Sequence, residues 1–299
     1  MRRRLAAVLT LLLLATGCTS KVKQLASTPE PSSARSIPTS EPSSRASSTA
    51  SRLPRPAHVV VVVLENHSYN EIIDGSQAPF IASLVETGAL FTQSYAVTHP
   101  SQPNYLALFS GSTQGITDDS CPHTFVTPNL ASELAAAKYS FAGYSEGLPE
   151  QGFTGCSSGS YARKHNPWVN FANVPASVNL PFTAFPPNYA SLPTVSFVIP
   201  DLNHDMHDGT IGEADQWLSD HLRGYAAWAP AHRSLLIVTV DEDDYSADNR
   251  IATVVTGAFV RPGRHSERID HYRLLRTLTD AFHLAPLGPG SAITDIWSR

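Results

Sequence analysis

The sequence predicts an α/β fold, a mainly parallel sheet flanked by helices, and two observations carry that prediction. Three runs, His58–Leu64 (HVVVVVL), Val195–Ile199 (VSFVI) and Leu235–Val240 (LLIVTV), are continuously apolar and rich in β-branched residues, without polar alternation. Strands buried on both faces of a sheet read this way. Between them lie stretches with apolar residues at i, i+3, i+4 spacing, and strands alternating with helices imply parallel pairing.

In chain order, the first strand run is followed by a helix pattern at Pro79–Thr87 and another at Asn129–Lys138. A weaker strand candidate follows at Ser140–Tyr144, then VSFVI, a long helix pattern at Gly212–Trp228, and LLIVTV. A weak strand at Ala252–Val255 and a helix at His271–Phe282 close the chain. Of the 299 residues, 42% are hydrophobic and 16% charged, enough apolar content to bury a core. The 243 residues from 57 to 299 read as a single domain.

What precedes them is different material. Three arginines, an apolar run from Leu5 to Ala15 and then small residues have the layout of a signal peptide over residues 1–17. The run is too short for a bilayer core, which needs about 20 apolar residues. Ala15-Thr16-Gly17-Cys18 resembles the lipobox of bacterial lipoproteins, with Ala15 where that motif usually has Leu, so Cys18 is the expected lipidation site. The 38 residues 19–56 hold 11 Ser, 4 Thr and 6 Pro, a composition that cannot bury enough surface to offset chain entropy. Residues 18–56 therefore read as a lipidated, disordered tether. The expected location is outside the cytoplasm, membrane-anchored or secreted, with the N-terminal lipid as the sole membrane contact.

The net charge of −5, with 21 Lys and Arg scattered along the chain, gives no footprint for nucleic acid. A monomer is expected. With Cys18 lipidated, Cys121 and Cys156 remain in an oxidising compartment, and a disulfide between them is expected.

In open α/β sheets ligands bind beyond the carboxyl ends of the strands, so the residues just after each apolar run are the place to look. Glu65-Asn66 follow the first strand and Asp241-Glu242-Asp243-Asp244 follow LLIVTV. Glu65, Asn66, Asp241 and Glu242 form an oxygen-rich set suited to one divalent cation, Mg, Ca or Mn. Crowding four acids behind an apolar strand costs repulsion unless positive charge compensates. In His99-Pro100-Ser101-Gln102-Pro103-Asn104 two prolines stiffen a turn around a hydroxyl ahead of an apolar stretch. Ser101 is thus a well-mounted nucleophile whose oxygen a bound cation would activate. His204 and His207, interleaved with Asp201, Asp205 and Asp208, offer imidazoles to stabilise a phosphoryl group or protonate a leaving group. His271, after Asp270, is a weaker candidate of the same kind.

Taken together, the strand followed by ENHSY, the Ser101-Gln102-Pro103-Asn104 turn, PDLNHDMHDG, TVDED and DHYRLLRTLTDAFHL resemble the bacterial phosphoesterase family of acid phosphatases and phospholipases C. The resemblance spans nearly all of residues 57–299, and the compact size is most similar to secreted mycobacterial-type acid phosphatases acting on phosphatidylinositol 3-phosphate. It implies an alkaline-phosphatase-like fold, with Glu65, Asn66, Asp241 and Glu242 at the metal and Ser101 as both ligand and nucleophile. Phosphate is then held by histidines, His204 and His207 in the matching segment and, more loosely, His99 and His271. The larger phospholipase members carry glycines where Asp243-Asp244 stand here. The implied activity is hydrolysis of a phosphomonoester, a small molecule or a phosphoinositide, through a phosphoserine intermediate.

Four other readings compete. One is a phosphodiesterase of the same family. A serine esterase would use Ser145 in Gly143-Tyr144-Ser145-Glu146-Gly147, with Asp241 and His271 in the right chain order, though LPEQGFTGCSSG is a poor helix to follow a nucleophile elbow. A haloacid-dehalogenase-type phosphatase would use Asp241 and Asp243, with Tyr245 where that motif has Thr or Val. The last is a lipoprotein that binds a ligand without turnover.

Overall fold

A computed structural model describes residues 53–298. The signal peptide, Cys18 and the tether as far as residue 52 lie outside the described residues. No helix among the described residues is long and apolar enough to cross a membrane.

Eight strands form the main sheet: β1 (Val59–Leu64), β2 (Ala89–Phe91), β3 (Phe141–Ser145), β4 (Asn179–Pro181), β5 (Val195–Ile199), β6 (Leu235–Val240), β7 (Thr253–Gly257) and β8 (Gly263–His265). Their order across the sheet is β8-β2-β7-β6-β1-β5-β3-β4. Only β7 runs against its neighbours, β2 and β6; the other pairings are parallel. The three strongest apolar runs are the three central strands β5, β1 and β6, buried throughout.

Six helices accompany them: α1 (Tyr69–Ile73), α2 (Pro79–Thr87), α3 (Ser101–Ser110), α4 (Leu130–Ala136), α5 (Ile211–Trp228) and α6 (His271–Ala281). Side chains alternate across a strand, so β1 feeds two cores. Val59, Val61 and Val63 pack with Leu106 and Phe109 of α3, Leu134 of α4 and Leu275 of α6. Val60, Val62 and Leu64 pack with Ile72 of α1, Phe80 of α2 and Leu218 of α5. The sheet is therefore covered on both faces, which parallel strands require.

The described helices start where local chemistry supplies acceptors. Thr210 caps α5 and accepts from the Glu213 amide, while Glu213 returns a carboxylate to the Thr210 amide. Asp270 accepts from the Arg273 amide at the start of α6. Such caps satisfy N–H groups the helix leaves open. Cys121 and Cys156 are disulfide-bonded, as expected from their number.

Candidate active site

Glu65 follows β1 directly, and Asn66 turns the chain with φ 56°, a left-handed conformation Asn tolerates. Asp241 and Glu242 follow β6, next to β1 in the sheet. Ser101 is the first residue of α3, buried with every residue of that helix. All of these groups lie at the carboxyl edge of the parallel strands.

Ser101 Oγ lies 3.0 Å from Glu65 Oε2 and 3.2 Å from Glu242 Oε1. One hydroxyl hydrogen cannot serve both carboxylates. Asp241 Oδ1 accepts from the amides of Asn66 (3.2 Å) and Glu242 (2.6 Å), whereas its Oδ2 is buried without a hydrogen-bond partner among the described residues. Burial raises the Glu65 carboxyl above its usual range. Burial and the neighbouring Glu65 raise Asp241 well above its own, and the same two causes push Glu242 up to about 8. Among the described residues none of these acids has an ion pair with a Lys or Arg side chain, Lys164 acting on them only from a distance, and the orphaned Asp241 oxygen together with the doubly contacted Ser101 hydroxyl fits a cation. Glu65, Asp241, Glu242 and Ser101 would hold it, with Asn66 adjacent.

Three residues that sequence reasoning missed, His165, Tyr105 and Lys164, complete the site. His165, buried on a 3₁₀ turn, sets Nε2 3.1 Å from Glu65 Oε1 and Nδ1 3.0 Å from Asp205 Oδ2. Burial lowers its pKa to about 4 and raises that of Asp205 to about 8. Tyr105 of α3 donates to Glu65 Oε1 at 2.5 Å and stacks on the His165 ring. The neighbouring Lys164 places Nζ 2.9 Å from Asp119 Oδ2 and 3.2 Å from His207 Nε2. Asp119 in turn accepts from the Gln102 amide at 2.9 Å, so Lys164 stands beside the start of α3. Ligand atoms of Glu65, His165 and His207 all fall within 4.8 Å of one another, adding imidazoles to the oxygen donors. The signal available in the sequence was Arg163-Lys164-His165, three basic residues in succession in an acidic chain.

The remaining expected residues separate. His99 reaches the site, with Nδ1 3.0 Å from Glu242 Oε2 and Nε2 3.2 Å from Asp243 Oδ1. His207 reaches it through Lys164 and His165. His204 does not: its Nδ1 is held by Glu146 (2.9 Å) and Asp201 (3.3 Å), in a separate groove against Trp217 of α5. His271 is buried with Nε2 2.6 Å from the Asp241 carbonyl oxygen, so it holds the backbone of Asp241 from behind.

The esterase reading finds no support in this geometry. Ser145 is buried, its hydroxyl donates to Asn166 Oδ1, and turn residues rather than a helix follow it. Gly143 is explained by packing, because a Cβ there would stand 2.1 Å from the Trp168 indole. Asp243 is likewise committed to folding its own loop, accepting from the amides of Tyr245, Ala247 and Asn249.

A serine between buried acids at the carboxyl edge of a mainly parallel sheet is an arrangement that suits a phosphate-ester hydrolase, the class that comparison with known proteins gives. The chain belongs to the Phosphoesterase family, which matches residues 72–285, and it is a hydrolase of phosphoric ester bonds. It is 54% identical over 254 residues to a phosphatidylinositol-3-phosphatase of Mycobacterium tuberculosis, covering 83% of this chain and 85% of that protein. It is 30% identical over 254 residues to an acid phosphatase of Aspergillus fumigatus, covering 76% of this chain but 55% of that longer protein. Among solved structures, the fold resembles the lipoteichoic acid synthase LtaP of Listeria monocytogenes, with TM-score 0.55, 13% identity and coverage of 80% of this chain and 74% of that one. It also resembles an alkaline phosphatase superfamily protein of Vibrio parahaemolyticus, with TM-score 0.53, 12% identity and coverage of 78% and 68%. The fold is thus alkaline-phosphatase-like.

Proposed function

We propose that this chain is an exported phosphomonoesterase that acts through a phosphoserine on Ser101, with phosphatidylinositol 3-phosphate as a substrate. The observation that carries the reading is the Ser101 hydroxyl held between Glu65 and Glu242. The substrate follows from the likeness to the M. tuberculosis protein, and export follows from the leader and Cys18.

In the first step Ser101 Oγ attacks phosphorus, its proton passes to the Glu65 and Glu242 carboxylate pair, and the P–O bond to the alcohol breaks with its electrons on the leaving oxygen, which takes that proton and departs as the free alcohol. In the second, water attacks the phosphoseryl group, the serine–phosphate bond breaks, the water proton passes through the same carboxylates to Ser101 Oγ, and inorganic phosphate leaves. One divalent cation, when bound, supplies Lewis acidity that lowers the serine hydroxyl pKa. The Lys164 ammonium, within electrostatic reach of Glu65 and Asp241, would supply positive charge near the transferring group, and Asp119 and His207 fix its position. Catalysis by positioning and charge suits phosphoryl transfer, which needs little covalent assistance.

The test is an assay of the purified protein on a phosphomonoester and a phosphodiester in parallel. Ser101→Ala should lose turnover at least 10³-fold on the monoester, with an unchanged circular dichroism spectrum. Chelator should abolish activity, and re-addition of Mg²⁺, Ca²⁺, Mn²⁺ or Zn²⁺ separately should identify the cation that restores it. Preferential cleavage of the diester would favour the phospholipase C-type reading instead.

A further inference from the structure

A single exposed aromatic on a protein surface needs no explanation by itself. Tyr245 differs in three respects. Its side chain is 75% exposed, yet it lies two residues beyond the buried Asp243 and three beyond Glu242. Its backbone sits at φ 66°, a left-handed conformation costly for a bulky residue, so the surrounding loop must impose it. That loop is over-determined: the Asp243 carboxylate accepts from the amides of Tyr245 (2.9 Å), Ala247 (2.8 Å) and Asn249 (2.9 Å), and the Asp243 amide donates to Asn249 Oδ1 (2.9 Å).

The strained loop places the phenol ring on His99, stacked at 3.8 Å between centroids and 18° between planes. His99 in turn lies 3.0 Å from Glu242 Oε2, and Glu242 Oε1 lies 3.2 Å from Ser101 Oγ. A chain of three contacts thus runs from the nucleophile to an aromatic ring open to solvent. Among the described groups at this site the other aromatic ring, Tyr105, is buried against His165, and the rest are acids, an amide, hydroxyls, imidazoles and the Lys164 ammonium. Tyr245 is the exposed ring at the outer end of that chain, on the solvent side of His99 and Glu242.

We infer that Tyr245 is a specificity-determining residue, a platform for the face of a ring on the alcohol side of the phosphoester. The inference rests on Ser101 being the nucleophile. The ligand chemistry is a ring that can lie flat on an aromatic face, whether an aryl group or the C–H face of a cyclitol such as inositol. Such a contact acts on binding of the alcohol portion and leaves the phosphoryl machinery to the buried residues.

The experiment compares Tyr245→Asn, Tyr245→Phe and Tyr245→Trp with the unaltered protein on three soluble phosphomonoesters: phenyl phosphate, short-chain phosphatidylinositol 3-phosphate and the acyclic glycerol 3-phosphate. Asn is chosen because it accepts φ near 60° and removes the ring. In Tyr245→Asn, KM for the ring-bearing substrates should rise about 3- to 10-fold more than KM for glycerol phosphate, with kcat altered alike for all three. Phe and Trp should restore the difference. A rise confined to phenyl phosphate assigns the platform to aryl alcohols, and one confined to the phosphoinositide assigns it to cyclitols. An equal loss on all three substrates, or no loss, overturns the proposal. Ser101→Ala, run alongside, separates the two readings. If that variant retains activity the nucleophile assignment falls and the platform with it, whereas inactivity combined with a uniform Tyr245→Asn response overturns the platform alone.

Discussion

Lys164 sets an ammonium at the edge of a pocket of buried acids. Burial alone would lower its pKa, but Asp119, Glu65 and Asp241 together raise it, so it remains charged at neutral pH. Because it donates, its contact with His207 Nε2 leaves that nitrogen as an acceptor, with His207 Nδ1 turned to Asp208 at 2.7 Å. In this arrangement His207 steadies a cation rather than presenting an acid. Lys164→Met should therefore lower kcat/KM for phosphomonoesters about 10²-fold, the scale for losing one donor to the charge of a transition state. Asp119→Asn, which leaves the ammonium in place but less well held, should cost less. Steady-state kinetics on a small phosphomonoester measure both, and an active Lys164→Met would reduce the residue to a tie between loops.

At the scale of elements, α6 is joined to the segments on either side of it by Glu267. Its carboxylate accepts from the amides of Thr294 and Asp295, both at 3.2 Å, and pairs with Arg273. Burial would raise its pKa, but those amides and the guanidinium outweigh it and hold the group below the ordinary 4.5. A depressed carboxyl contributes stability above its unfolded pKa and loses it as pH falls through the folded one. Glu267→Gln should be less stable than the unaltered protein at neutral pH, and the difference should shrink as pH falls below 4.5 in thermal melts taken across pH. The elements legible in the sequence were those with a strong pattern: β1, β5 and β6 as unbroken β-branched runs, and α2, α5 and α6 by their periodicity. Helix α3 was not read to its start, because all ten of its residues are buried and leave no polar face to create a period. Pro103 also suggested a turn, although within the first helical turn a proline sacrifices no hydrogen bond. Glu65, Asp241 and Glu242 could be found because they follow patterned strands. His165 sits on an irregular 3₁₀ segment, where no period flags it, and His204 looked equivalent to His207 because spacing along a loop does not say which way each ring turns.

For the whole molecule, the disulfide gives the proposed site and the proposed export a common physical test. Cys121 lies two residues beyond Asp119, in a segment that Gln102 also grips by donating to the carbonyls of Asp118 (3.1 Å) and Ser120 (2.8 Å). Cys156 lies beside the strand pair 157–158 and 161–162 that leads into Arg163, Lys164 and His165. The bridge thus clamps together the two loops whose side chains meet as Asp119 and Lys164. Arg163 reinforces the same junction from inside, donating to the carbonyl oxygens of Thr154, His123 and Val169. Closing a loop across a sequence separation of 35 residues restricts the unfolded chain by about 3–4 kcal/mol at 25 °C. The double variant Cys121→Ser with Cys156→Ser should therefore melt at clearly lower temperature. Its loss of activity should also exceed what the unfolded fraction explains, because Asp119 and Lys164 are no longer held in register. Protein synthesised and kept in a reducing cytoplasm should behave as that variant does, and recover on oxidation. Free-thiol counting, thermal melts and kinetics on the same preparations make the comparison. A reduced protein as stable and as active as the oxidised one would show that these loops hold Lys164 without the bridge, and would remove this physical argument for the proposed export.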